Sequence, residues 1–218
     1  MKKINLFIFD LDGTLIDSKR DIAASVNFTM RKLGLPALAE DLIYSFVGNG
    51  VAPLIRRTVE AASIGAGGVP FEQAMEIFKA HYDAHLLDTT NAFPGVREVL
   101  KHFGDKKKVI VTNKSQGFSE KIIRGIDLTQ FFDGIFGGDT PFPKKPEPRV
   151  VHHLLETYGI PPRHAVIVGD SRVDIETGKN AGILTCGVTY GFRPRRELEE
   201  AGCDYLIESS SELMQLFS

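Results

Sequence analysis

A chain of 218 residues is long enough for one full domain, or for a domain with a small insert, and can bury a core without covalent staples. Its 26 basic and 28 acidic residues leave a net charge of −2, which provides no global field suited to nucleic acid or to an acidic membrane surface. Two cysteines, Cys186 and Cys203, form neither a CxxC pair nor a ligand quartet with histidine, and they read as reduced thiols of a cytoplasmic protein.

The apolar run that follows Met1-Lys2-Lys3 is broken by Asp10 and Asp12, too early for a signal peptide, and no stretch approaches the length of a membrane span. Ile4–Phe9 is rich in β-formers and ends at these carboxylates, the pattern of a buried strand running into a loop. From Asp17 to about Leu87 the pattern becomes helical. Ile22–Leu33, Val51–Ala62 and Phe71–Leu87 carry apolar residues at helical spacing, and Gly65–Pro70 reads as a flexible turn between two of them. From Phe93 onward strands alternate with helices. Val109–Thr112, Ile135–Phe136, Ala165–Val168, Thr185–Val188 and Tyr205–Ile207 read as strands. Ser119–Gly125, Arg149–Tyr158 and Ile175–Ala181 read as helices, and a terminal helix closes the chain. Such alternation predicts a mostly parallel sheet covered by helices on both faces, an α/β fold interrupted by an all-helical insert. The basic clusters Lys106-Lys107-Lys108 and Arg193-Pro194-Arg195-Arg196 read as solvated loops or helix ends.

Ligands of such a sheet bind beyond the carboxyl ends of its strands. Four strand ends carry reactive groups here: Asp10 with Asp12, Thr112 with Asn113, Lys145 in the loop after Ile135–Phe136, and Asp170 with Asp174. Gly13 allows a sharp turn after the first pair. A calcium loop does not fit that segment, because the glycine is misplaced and a strand precedes it. Carboxylates gathered on one edge repel one another unless a cation joins them, and oxygen-only ligands favour Mg²⁺. His81 and His85 are spaced i, i+4 but lack the glutamate of a zinc protease, so they read as ordinary helix surface. There is no GxxxxGK[ST] loop for nucleotide phosphates.

Taken in order, Asp10-Leu11-Asp12-Gly13-Thr14, Thr112, Lys145 and Gly169-Asp170 through Asp174 resemble the motifs of the haloacid dehalogenase superfamily of phosphohydrolases. Val47–Gly50, Val111–Lys114, Lys144–Pro146 and Thr189–Phe192 further resemble its bacterial phosphoglycolate phosphatases. The resemblance implies a Rossmann-like core over residues 1–16 and 93–218, with a helical type C1 cap over 17–92. It also implies Asp10 as nucleophile, forming an aspartyl-phosphate, and Asp12 as acid and base. Mg²⁺ would be held by Asp10, the Asp12 main-chain carbonyl and Asp170, with Asp174 behind them or acting through water. Lys145 would be a fixed cation, and Thr112 with nearby amides would bind phosphate oxygens. Gly13, Thr14, Asn49, Gly50, Asn113 and Arg56 are the expected substrate-binding residues, with Arg57 as the alternative to Arg56. The implied protein is a cytoplasmic monomer or homodimer acting on a small phosphorylated metabolite. Asp12 stands where dehalogenases carry an aromatic residue. Ile22 stands where the sugar phosphomutases carry a histidine, twelve residues after the nucleophile.

Overall fold

Leu6–Phe9 is an unbroken apolar run, the composition of a strand buried on both faces. In the computed structural model, which describes residues 1–63 and 70–218, it forms the fully buried β1. A short β2 (Ile16–Asp17) follows, then four helices: α1 (Lys19–Lys32), α2 (Glu40–Phe46), α3 (Val51–Ala62) and α4 (Phe71–His85). The chain returns through β3 (Asn91–Ala92) to α5 (Val96–His102), β4 (Lys107–Val111), α6 (Gln116–Gly125), β5 (Gly134–Phe136) and α7 (Arg149–Tyr158). It ends with β6 (Ala165–Gly169), α8 (Arg172–Ala181), β7 (Leu184–Val188), α9 (Arg195–Ala201), β8 (Tyr205–Ile207) and α10 (Leu213–Leu216). Of the turn expected at Gly65–Pro70, all but Pro70 lies outside the described residues.

Six strands form one parallel sheet in the order β5-β4-β1-β6-β7-β8. Because side chains alternate along a strand, β1 feeds two cores. Phe7 and Phe9 pack with Val96, Val99 and Leu100 of α5 and Ile122 and Ile123 of α6. Leu6 and Ile8 pack with Val150, Val151 and Leu154 of α7. The next strand of this sheet in the chain, β4, lies on one side of β1, and β6 lies on the other. The connections therefore diverge at the carboxyl end of β1 and open a crevice there.

The four-helix insert has its own apolar contacts. Ile22, Val26 and Met30 of α1 and Ala74, Phe78 and Tyr82 of α4 recur every fourth residue and are buried. The outgoing and returning linkers run side by side, with Ile16 opposite Ala92 and Asp17 opposite Asn91 in an antiparallel pair. Asp21, in the first turn of α1, accepts hydrogen bonds of 2.6–3.0 Å from the amides and hydroxyls of both Thr89 and Thr90. Burial alone would raise its pKa, but these donors outweigh it and hold the carboxyl below its ordinary value.

One surface expectation fails. Lys108 is a buried residue of β4, not part of a solvated loop, and its ammonium donates to the carbonyls of Phe103 and Lys106. The strand starts at Lys107, so the alternation turns Lys108 inward, while Lys107 pairs with Asp133 at 2.7 Å. Among the described residues no helix is long and apolar enough to cross a membrane. Both cysteines are free thiols, Cys186 being buried.

Candidate active site

Asp10 is the first residue past β1, and its amide still bonds the Val168 carbonyl of β6 at 2.9 Å. The sheet thus fixes the backbone that carries its carboxylate. The chain then turns at Gly13, whose φ of +86° suits glycine. A side chain there is also barred by space, since its Cβ would fall 2.2 Å from Oδ2 of Asp170. Gly191 is confined in the same way, 2.3 Å from the Asp170 Cβ. These glycines let the loops after β1 and β7 close around Asp170, which accepts a 2.7 Å bond from the Phe192 amide.

Lys145 reaches this point from the loop after β5. Its ammonium is 2.7 Å from Asp10 Oδ1 and 2.6 Å from Asp174 Oδ1, and all three groups are buried. The other oxygen of Asp174 accepts from the amide and hydroxyl of Ser171, a capping box that opens α8. Asn113 holds the lysine loop in place, accepting from the Lys145 amide at 3.0 Å and donating to the Lys145 carbonyl at 3.3 Å.

Asp10, Asp170 and Asp174 each offer a carboxylate oxygen, and these oxygens lie within 4.8 Å of one another. When all are ionised, three carboxylates face one ammonium, which leaves an excess of two negative charges in a buried place. Burial pushes the Asp10 carboxyl up to about 6, with Lys145 opposing the shift and Asp174 adding to it. Burial, with Asp10 and Asp174 beside it, raises Asp170 well above the ordinary carboxylate value. Lys145 moves the opposite way: burial disfavours its charge, but the two aspartates outweigh burial and raise its pKa. An all-oxygen donor set with two uncompensated charges fits a hard divalent cation such as Mg²⁺. His81 and His85 take no part in this cluster. They stack ring on ring at 4.2 Å and bond Ser25 and Asp88 respectively.

The Asp12 carboxylate stands apart from that cluster. It accepts from the Ser18 hydroxyl and, at 3.0 and 3.1 Å, from the Lys114 ammonium. Lys114 in turn donates to the Tyr82 hydroxyl of α4 at 2.7 Å, tying core to insert. Above Asp10 and Asp12 lies a chamber of about 60 Å³. Its core side includes Thr112, Lys114 and Phe118, and its insert side includes Ile22, Val47, Leu54 and Tyr82. Gly48 and Gly50, both at positive φ, bring the loop before α3 down onto it. Arg193, from the loop after β7, clasps that loop from the outside by donating to the carbonyls of Ser45 and Val47 at 2.7 and 2.6 Å.

The structure brings together Asp10, Asp12, Thr112, Gly50, Lys145, Asp170 and Asp174. Several expected substrate contacts lie elsewhere. Arg56 is exposed and stacks over the Phe71 ring at 4.9 Å, because Leu54, Ile55 and Thr58 take the buried face of α3. Arg57 and Asn49 border an outer groove with Arg193 instead of the chamber. Thr14 is turned inward, its hydroxyl buried and without a partner among the described residues, and it borders a small cavity near Phe9 and Val96. The Gly13 amide is committed to the Ile16 carbonyl at 2.9 Å. The Asn113 side chain binds Lys145 and the Gly48 carbonyl. Sequence reasoning gave no role to Lys114, Tyr82, Arg193 or Asp21. Lys114 lies within the Val111–Lys114 segment already singled out by its resemblance to the phosphoglycolate phosphatases, which is the available signal for the first.

Comparison with known proteins agrees with this geometry. The family model described as haloacid dehalogenase-like hydrolase matches residues 7–188. A phosphoglycolate phosphatase of Aquifex aeolicus is 34% identical over 215 residues, covering 98% of this chain and 96% of that protein. One from Pseudomonas savastanoi pv. phaseolicola is 35% identical over 214 residues, covering 96% and 78%. The crystal structure of a predicted phosphoglycolate phosphatase from Haemophilus somnus superposes with a TM-score of 0.95 at 27% identity, over 99% of both chains. The chain belongs to the haloacid dehalogenase-like hydrolases and, within them, to the phosphatases.

Proposed function

We propose that this phosphatase hydrolyses 2-phosphoglycolate through a covalent phosphoryl intermediate on Asp10. The observation that carries the reading is the position of Asp10 at the floor of the chamber, with Lys145 on one side of it and the paired Asp12 on the other. Oδ of Asp10 attacks phosphorus as the ester P–O bond breaks, and Asp12 in its acid form gives its proton to the departing alkoxide. Asp12 then takes a proton from a water that attacks phosphorus, which frees Asp10 and inorganic phosphate. Lys145 holds the nucleophile and counters the charge of the incoming phosphate, while Thr112 faces its equatorial oxygens. Asp10, Asp170 and the Asp12 carbonyl, with Asp174 behind them, would hold Mg²⁺, which would supply the remaining positive charge. Residues 17–92 act as a cap that excludes water.

The identity of the ester rests on the names of the relatives and on the small volume of the chamber. Hydrolysis is favoured over phosphoryl transfer to a sugar because Ile22, which cannot shuttle a proton, lines the chamber at the position of the mutase histidine. The protein is read as cytoplasmic, as its reduced thiols suggest. Phosphate release with Mg²⁺ should be compared for 2-phosphoglycolate, ethyl phosphate and glucose 1-phosphate, with no bisphosphate activator added. The expected order of kcat/KM has 2-phosphoglycolate first. Equal values for 2-phosphoglycolate and ethyl phosphate would remove the assignment of substrate, and a requirement for a bisphosphate would favour the mutase.

A further inference from the structure

The chamber has one unusual polar feature. Two carboxylates, Asp10 and Asp12, and a single cation, Lys114, are the charged residues among those that line it. The cap contributes mainly apolar side chains and the Tyr82 hydroxyl. Lys145 is already shared between Asp10 and Asp174. Arg57 and Arg193 border the outer groove, and Lys144 stands behind Gly50, bordering a different cavity. A substrate whose phosphate sits at Asp10 extends past Asp12 toward the cap. A second anionic group at that end would enter an enclosed, mostly apolar space, where an uncompensated charge is very costly.

We propose that Lys114 is the specificity-determining residue of this site, binding the carboxylate at the non-transferred end of the substrate, with Tyr82 of the cap as its positioning residue. The ammonium is held at 3.0 and 3.1 Å by both oxygens of Asp12 and at 2.7 Å by the Tyr82 hydroxyl, and it lies 4.7 Å from the centre of the Tyr82 ring. Its side chain is 8% exposed, so it is desolvated before any ligand arrives. An ammonium has three donors, and a carboxylate entering the chamber can take one of them from Asp12 while Tyr82 keeps another. Since Lys114 belongs to the core and Tyr82 to the cap, the cation is held in this way only when the two are together. Recognition of the distal anion is thereby joined to closure. A neutral ester of the same length leaves Lys114 on Asp12 and gains nothing from it.

This inference rests on the phosphoglycolate reading, but it is tested separately by binding. The probes are 3-phosphonopropionate, in which a methylene replaces the ester oxygen of 2-phosphoglycolate, and propylphosphonate, which lacks the carboxylate. Calorimetric titration of the Mg²⁺-loaded protein should show 3-phosphonopropionate bound at least about ten-fold more tightly, the gain of one charge-assisted hydrogen bond. Lys114→Met should bring the two affinities within about two-fold, and Tyr82→Phe should reduce the preference part of the way. Should Lys114→Met fail to fold, Tyr82→Phe and Lys114→Gln carry the same comparison. Retention of the full preference in folded variants, with both ligands weakened in parallel, would reduce Lys114 to a structural role and overturn the proposal. So would a wild-type protein without preference. A protein that shows the binding preference but does not turn over 2-phosphoglycolate would fail the phosphoglycolate reading, while the same titrations still decide the role of Lys114.

Discussion

At the scale of single residues the site is built as much by what is missing as by what is present. Gly13 and Gly191 carry no side chain because Asp170 occupies the space where one would be, and Gly169 yields to Asp174 in the same way. This gives a prediction that does not touch a charged group. Gly13→Ala places a methyl 2.2 Å from Oδ2 of Asp170 and forces positive φ on a residue that resists it. Asp170 must shift, so Mg²⁺ affinity should fall by about ten-fold or more although every carboxylate is still present. Titration calorimetry with Mg²⁺ checks it, and unchanged affinity in the folded variant would separate Gly13 from the metal site. The same scale explains why sequence alone does not place Arg56. Arg56 and Arg57 are adjacent, and only the phase of α3, fixed by the burial of Leu54, Ile55 and Thr58, decides where each points.

At the scale of elements, the junction between the parallel sheet and the helical insert carries the most information. Two linkers meet as β2 and β3, and Asp21 secures them by binding Thr89 and Thr90, 68 and 69 residues away. Asp21→Asn removes the charge and turns an acceptor into a donor facing donors, which should cost about 1–3 kcal/mol. The sign of the pH dependence follows from the depressed pKa. The folded form binds its proton more weakly than the unfolded chain, so this stabilisation is complete above the unfolded value of about 3.9 and is lost as pH falls through the lower folded value. Urea unfolding at neutral pH should therefore separate wild type from Asp21→Asn, and the gap should narrow below about pH 4. A gap independent of pH would mean that packing, not the ionised carboxylate, is responsible. Nothing in the sequence pairs Asp21 with Thr89, because an acidic residue in a first helical turn is already accounted for by the helix dipole.

At the scale of the whole molecule, the parallel sheet is the part that sequence reveals best. A strand covered on both faces is mostly apolar, so β1, β6 and the Val109–Val111 stretch of β4 stand out as runs that stop at polar residues, and those residues are where a ligand can bind. Asp10, Thr112 and Asp170 are legible for that reason, whereas Lys145, in the loop well past β5, is legible through the family resemblance. The seven-residue helices α2, α5 and α9 were not, because so few turns leave no period to read. Tyr82 was hidden in a different way. It occupies an apolar stripe with Ala74 and Phe78, and only the fold shows its hydroxyl meeting Lys114 across the chamber. The sheet fixes the backbone of Asp10 and Lys145 pairs with its carboxylate at 2.7 Å, and the proposed function turns on that carboxylate as nucleophile. The most direct test is kcat for 2-phosphoglycolate at saturating Mg²⁺ in wild type and Asp10→Asn, with circular dichroism confirming that the variant is folded. The account predicts a loss on the order of 10⁴-fold or more, because an amide is a far poorer nucleophile. A variant that keeps a tenth of the wild-type kcat would contradict it.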